Sequence, residues 1–267
     1  MKSPGTLRRK KLTSMAPLLW TVLGQLAMLC AFSGSALGQR AADTTAEVKR
    51  LIEVAQSAQR EGRYDEAILT YQTVAVVAAD SRVAAQAHLN IGNIYMIRGK
   101  YQEASNAFQR SIALNPSSAE AYNNLGEALG ELKQYVKALE LFQRAIAADG
   151  THLKARYNMG VTYERMGQLK YAEFVYRLLI RDHPDFALAY DSLAVTLSKS
   201  GRVREAIALH AKAITLNPKN PSLYYNFAVS YLILGEVQKA QELQKKLREL
   251  DPPMAEQLAG VIAKHQK

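Results

Sequence analysis

The chain has 267 residues, with 34 Lys or Arg against 24 Asp or Glu, for a formal charge of +10. Half of that excess sits in Lys2, Arg8, Arg9, Lys10 and Lys11, within an acid-free stretch of 38 residues, so the remainder carries a modest +5 spread along its length. That balance excludes a nucleic-acid footprint, and 48% hydrophobic with 22% charged residues excludes a disordered or collagen-like chain. Cys30 and Trp20, each the single residue of its kind, both precede residue 31. Whatever folds downstream therefore has no disulfide, thiolate zinc site or thiol nucleophile.

The first segment runs from a basic stretch (residues 1–11) through an apolar one, Met15–Ala31, to small residues at Ser33–Gly38. This is the layout of a secretory signal peptide over residues 1–38, with the cut before Gln39 or after Ala36. The alternative is an uncleaved membrane anchor over residues 15–31, at the short end of what spans a bilayer. Cys30 follows Leu29, which disfavours lipidation, and Lys11 stands where a twin-arginine signal wants an aromatic residue. A short lead-in, 39–47, follows.

From there the chain compares best with itself. Ala104, Ala138, Ala172, Ala206 and Ala240 are spaced by 34 residues, and so are Pro116, Pro184, Pro218 and Pro252, with Gly150 in the missing place. Six copies result: 48–81, 85–118, 119–152, 153–186, 187–220 and 221–254, with Arg82–Ala84 extra between the first two. Each copy holds two apolar runs at helical spacing, broken by a turn such as Arg98-Gly99-Lys100 or Met166-Gly167-Gln168. Glycine accepts the left-handed conformation that ends a helix, and proline stops the second run, so each copy reads as a helix hairpin. A hairpin cannot bury its face alone, so the copies are expected to stack into an all-α, right-handed superhelical solenoid. Residues 255–267 place Leu258, Val261 and Ile262 on one stripe, as a C-terminal capping helix or a docking helix.

The repeat resembles the tetratricopeptide repeat family, whose pattern is W-x2-L-G-x2-Y, then A-x3-F, then P. Counting positions within a copy as slots, slot 8 holds Gly92, Gly126, Gly160, Ala194 and Ala228, and slot 11 holds Tyr95, Leu129, Tyr163, Leu197 and Tyr231. Slot 24 holds Tyr71, Phe108, Phe142, Tyr176, His210 and Gln244, an aromatic expected to fill the space against the next copy. The first copy departs at Leu51, Ala55, Ala58 and Ala79 but fits at Gly62, Tyr64, Ala67 and Tyr71; its second helix is expected to run long, through Val77.

A search for chemistry returns none: no catalytic residue, no metal site and no cofactor are expected. G-x-S-x-G, HExxH, a phosphate loop and G-x-G-x-x-G are all missing. His88 and His210 occupy slots 4 and 24, where packing is the expected role, and His152, His183 and His265 are scattered. Asp65 and Glu66 open a second helix, where acids favour the helix dipole.

What remains is surface. The resemblance implies a concave groove lined by slots 2, 5, 6, 9, 12 and 13 of the first helices. Slot 6 reads Glu53, Asn90, Asn124, Asn158, Ser192 and Asn226, with Asn93 beside it in slot 9. An amide offers a donor and an acceptor, as a peptide backbone does, so a row of them can grip an extended chain. The row is similar to the asparagine ladder of O-linked N-acetylglucosamine transferases; family consensus is the other reading of it. Copy three adds Glu120, Glu127 and Glu131, copies four and five add Lys154, Arg165 and Lys199 beside Glu164, and copy one adds Lys49 and Arg60. These charges offer register to a partner of mixed charge. Ile52, Leu89 and Tyr157 stand where the family's chaperone-type carboxylate clamp needs polar groups, so that clamp is missing. Copy six turns apolar with Tyr225, Val229, Leu232 and Ile233, which a partner or the tail helix would cover.

The expectation is an exported, periplasmic or envelope-associated scaffold that binds a protein or extended peptide in its groove and catalyses nothing. The alternative is an accessory repeat module for a separate enzyme such as a glycosyltransferase. Nucleic acid is not expected as a partner, membrane only through a retained anchor, and self-association through the ends of the stack stays open.

Overall fold

The computed structural model describes residues 34–265, with side chains from residue 44. The expected leader lies largely outside the described residues, and its predicted cut before Gln39 falls within the first described helix. There are thirteen described α-helices and no strand among them. Six hairpins succeed one another: α1 (Gly34–Arg60) with α2 (Tyr64–Val77), α3 (Ser81–Ile97) with α4 (Tyr101–Leu114), and α5 (Ala119–Glu131) with α6 (Tyr135–Ala148). Then come α7 (Leu153–Arg165) with α8 (Leu169–Asp182), α9 (Ala187–Lys199) with α10 (Val203–Leu216), and α11 (Pro221–Ile233) with α12 (Val237–Leu250). The last helix is α13 (Pro252–His265). Among the described residues no helix is long and apolar enough to cross a membrane.

The hairpin turns repeat one device. Gly62, Gly99, Gly167, Gly201 and Gly235 all have φ between +68° and +80°, and in the third repeat Lys133 takes the same place at φ 60°. The next residue's N–H then reaches back five residues to the slot 11 carbonyl, as in Lys100 to Tyr95 (2.9 Å), Gln134 to Leu129 (2.8 Å) and Arg202 to Leu197 (2.9 Å), which satisfies an orphan carbonyl at the helix end. First helices of several repeats are capped by side chains: Asp80, Ser118, His152 and Asn220 each accept from a backbone N–H in the first turn.

Within a hairpin, slots 8 and 24 meet. A Cβ on Gly92 would lie 2.4 Å from the Phe108 ring, on Gly126 2.6 Å from Phe142, and on Gly160 2.5 Å from Tyr176. The slot 24 ring thus occupies the place of a slot 8 side chain in its own copy, while it also shares a core with the next copy, as Phe108 does with Ala121 and Leu125. Repeats five and six keep the sum constant differently, pairing Ala194 with His210 and Ala228 with Gln244. Slot 20 alanines (Ala104, Ala138, Ala172, Ala206, Ala240) are fully buried where the two helices approach.

Three details of the expected organisation change. The second helix of copy one ends at Val77 but is no longer than its counterparts, at 14 residues. Arg82–Ala84 are not a linker: they lengthen α3 to 17 residues at its N-terminus, where Asp80 accepts from the Arg82 N–H at 2.8 Å. Segment 39–47, expected as a short lead-in, forms part of α1, which runs through it unbroken. At the other end α13 starts at Pro252 and packs on α11 and α12 as the first helix of a further repeat would, burying Ala255, Leu258 and Ile262 fully or nearly so. Gln244 donates to the Ala255 carbonyl at 3.2 Å, so the slot 24 side chain of copy six ties the cap down.

Candidate functional site: the inner face of the solenoid

First helices of successive repeats touch directly, α3 to α5, α5 to α7, α7 to α9 and α9 to α11, and no comparable run joins the second helices. The first helices therefore line the inner face, as expected. What their side chains do there is different. Slot 5 does not open to the groove: Leu89, Asn123 and Asp191 are buried, and Tyr157 and Tyr225 half-buried.

The amides are interlocked. Asn124 Nδ2 donates to Asn93 Oδ1 at 2.9 Å, and Asn124 Oδ1 accepts from Asn123 Nδ2 at 3.0 Å. Asn158 Nδ2 donates to Asn123 Oδ1 at 2.9 Å and to Glu127 Oε1 at 2.7 Å, and Asn123 Nδ2 donates to that same Glu127 oxygen at 2.7 Å. Both Nδ2 protons of Asn158 are thereby used, and Asn123 is saturated. Asn93, Asn123, Asn124 and Asn158 thus sew α3, α5 and α7 together. Among the described residues, Asn93 Nδ2 and Asn158 Oδ1 take no part in these bonds. Asn90 stands apart, accepting from Gln86 at 3.3 Å and lying against the Tyr71 hydroxyl.

The charges are interlocked too. Lys154 pairs with Glu127 at 2.7 Å, Arg165 with Glu131 at 2.7 Å, and Lys199 with Glu164. Each pair joins a first helix to the preceding one, so the uneven charge read along the chain is largely neutralised across repeats. Being half-exposed, the pairs add little stability individually. Glu120 remains exposed.

Farther along, Tyr157 and Ser192 share a hydrogen bond at 3.0 Å, and burial pushes the Tyr157 phenol up so that it stays protonated. Then comes a polar chain that the sequence did not announce. Asn226 Nδ2 donates to Asp191 Oδ2 at 2.7 Å, Asp191 Oδ1 lies 2.8 Å from His210 Nδ1, His210 Nε2 lies 3.0 Å from Ser230 Oγ, and Ser230 meets Ser198 at 3.1 Å. Asp, His and Ser stand in the bonding order of a nucleophilic triad, but they are 6%, 0% and 3% exposed, and the His210 ring is stacked on Phe227 at 5.4 Å. A hydroxyl so enclosed meets no substrate; the chain bolts α9, α10 and α11 together. The sequence signal was available: slot 5 alternates between large apolar residues and Asn123 or Asp191.

Copy six corrects one further expectation: Leu232 is buried in the core rather than lining the groove, while Tyr225 and Val229 are half-buried against the cluster that includes Leu258 and Ile262 of α13. Ile233 stays 55% exposed. Slot 9 reads Asn93, Glu127, Val161, Val195 and Val229, so the groove floor is polar in repeats two and three and apolar from repeat four onward. At the other end, where the three added residues start α3 early, Ile52, Gln56, Tyr71, Val74, Arg82 and Val83 surround a notch of about 370 Å³. Burial lowers the His88 pKa, with Arg110 acting in the same direction.

Tetratricopeptide repeat profiles match residues 54–104, 92–133, 119–152, 154–185 and 197–264. No curated protein matches the sequence. Among solved structures, MamA is 28% identical over 62% of this chain and 95% of its own, with a TM-score of 0.55. PilW, a type IV pilus biogenesis factor, is 23% identical over 80% of this chain and 98% of its own, at 0.68. PilF of Pseudomonas aeruginosa is 15% identical over 82% and 99%, at 0.64. The last two likenesses bear on fold, a right-handed repeat solenoid. Matched profiles across every repeat, the 34-residue period and the slot 8 to slot 24 packing agree, and the chain belongs to the tetratricopeptide repeat family.

Proposed function

We propose that the protein is an exported, non-catalytic scaffold that holds an extended protein segment against its inner face. The observation that carries this reading is a groove wall whose polar side chains are already paired with one another while its apolar ones are not. Binding to such a wall orders little of the protein, which favours affinity. An extended segment would lay apolar side chains over Val161 and Val195, between Leu188 and Ile233, and meet Asn93 Nδ2 and Asn158 Oδ1 with its backbone. Export rests on the basic, apolar and small-residue order of residues 1–38, and a role in envelope assembly is part of the proposal; PilW, which shares the fold, is a type IV pilus biogenesis factor.

The test is capture from an envelope extract by the purified protein and by Val195→Asp with Ile233→Asp. Neither residue is buried, so helicity and melting should be preserved, and two desolvated charges in the groove should remove the captured protein. Full capture by the variant would move the docking surface elsewhere. A single enzyme as the retained protein would favour the accessory-module alternative.

A further inference from the structure

The first junction of the solenoid is built unlike the later ones. From copy three onward the slot 6 side chain bonds to the preceding first helix: Asn124 to Asn93, Asn158 to Glu127, Ser192 to Tyr157 and Asn226 to Asp191. Asn90 does not. It accepts from Gln86 on its own helix and lies against Tyr71, while Gln56, in the slot that Asn93 and Glu127 hold on later helices, has no side-chain hydrogen bond among the described residues. Accordingly α1 and α3 do not pack on each other as α3 does on α5 or α5 on α7. The space between them is the notch of about 370 Å³, with Tyr71 and Val74 at its floor, Ile52 and Val83 at its walls, and these amides around its rim. Arg82 is the one charged residue that lines it. Its side chain is 80% exposed, and although Nε lies 3.6 Å from the capping Asp80 carboxylate, neither Nη group donates a hydrogen bond among the described residues.

We infer that this notch selects the partner by sequence: it takes one bulky apolar side chain of an extended segment, with an acidic residue next to it bound by Arg82. Recognition here rests on the inner face being a peptide groove, and it adds to that groove a preference for particular residues. An apolar recess with a few convergent polar groups is the general form of a binding pocket. The unjoined amides on facing helices offer donors and acceptors to the segment's backbone on either side of the inserted side chain. A guanidinium with both Nη groups free suits a carboxylate, which it can hold through two parallel hydrogen bonds. The nearby charges agree with an acid at that edge. Arg60 stands close enough to the Tyr71 phenol to oppose the effect of its burial, and Asp80 is already engaged as the cap of α3. Lys49 and Glu53, exposed one turn apart on α1, do not line the notch and offset each other.

Random short peptides displayed on phage and panned on the purified full chain should enrich sequences in which Leu, Phe or Met adjoins Asp or Glu. Panning on Arg82→Glu should enrich Lys or Arg in place of the acid, an exchange that a merely structural arginine would not produce. A synthetic peptide from the first set should bind Arg82→Glu about tenfold more weakly by calorimetry, and its acid-to-lysine version should recover the loss. Gln86→Trp lays an indole over the notch and should abolish binding of either peptide. Arg82 and Gln86 are both exposed, so the helicity of these variants should match the parent. Val195→Asp with Ile233→Asp leaves the notch intact and should not change the peptide's affinity. No enrichment, enrichment without the acid, or an affinity indifferent to Arg82→Glu and Gln86→Trp would overturn the inference. Binding lost only in the Val195→Asp with Ile233→Asp protein would overturn it too, while upholding the groove in repeats four to six.

Discussion

His210 Nδ1 lies 2.8 Å from Asp191 Oδ1 with both side chains shut off from water, so the contact between repeats five and six rests on a buried ionisable pair. Asn226 holds the second carboxylate oxygen and Ser230 the second ring nitrogen, which leaves no polar atom of the pair unbonded. Removing one partner strands the other, and that is where the cost lies.

His210→Leu should therefore destabilise the C-terminal repeats by about 3 kcal/mol, the range for breaking a buried pair. His210→Leu with Asp191→Asn should recover a large part, because the amide oxygen still accepts from Asn226 and no charge is stranded. Urea unfolding of the four corners of the cycle measures the coupling. Additive losses would mean that the two residues act separately.

Gly160→Ala should cost about 1 to 3 kcal/mol, since its Cβ would fall 2.5 Å from the enclosed Tyr176 ring. Shrinking the ring's place with Tyr176→His, which copies the Ala194 and His210 pairing of repeat five, should make the alanine tolerable. Thermal melting followed by circular dichroism compares the three proteins.

Lys133 is the one described non-glycine residue with positive φ, in the turn where the other repeats have glycine. The left-handed conformation costs a side-chain-bearing residue about 1 kcal/mol, part of which glycine returns through greater freedom in the unfolded chain. Lys133→Gly should raise stability by about 0.5 kcal/mol. A lower melting temperature would mean that the lysine side chain makes a compensating contact.

Replacing Asn90, Asn124 and Asn158 together by Ala should lower the melting temperature. In the structure it deletes the bonds to Asn93, Asn123 and Glu127, each worth about 0.5 to 1.5 kcal/mol net, and strands buried Asn123. The better helix propensity of Ala returns only about 0.5 kcal/mol per site. Unchanged melting would show that the amides are idle between helices.

The 34-residue period, the two helices per copy, the turn slot and the stopping prolines were all legible in the sequence, because local physics sets them. Helical spacing of apolar residues, the left-handed tolerance of glycine and the missing N–H of proline act within a few residues. Even the family could be named from those slots. The destination of the polar side chains was not legible. Asn124 finds Asn93 from 31 residues away, Lys199 finds Glu164 from 35, and Asp191 finds His210 from 19. Whether an inner-face amide or charge serves a ligand or the neighbouring helix depends on how closely successive first helices approach, and close packing in the core fixes that spacing. Tertiary structure alone therefore tied the asparagines of the expected ladder to neighbouring helices, buried Leu89, Asn123 and Asp191 of slot 5, and left the valines of slot 9 and the outer aromatics Tyr171 and Phe174 at least partly open.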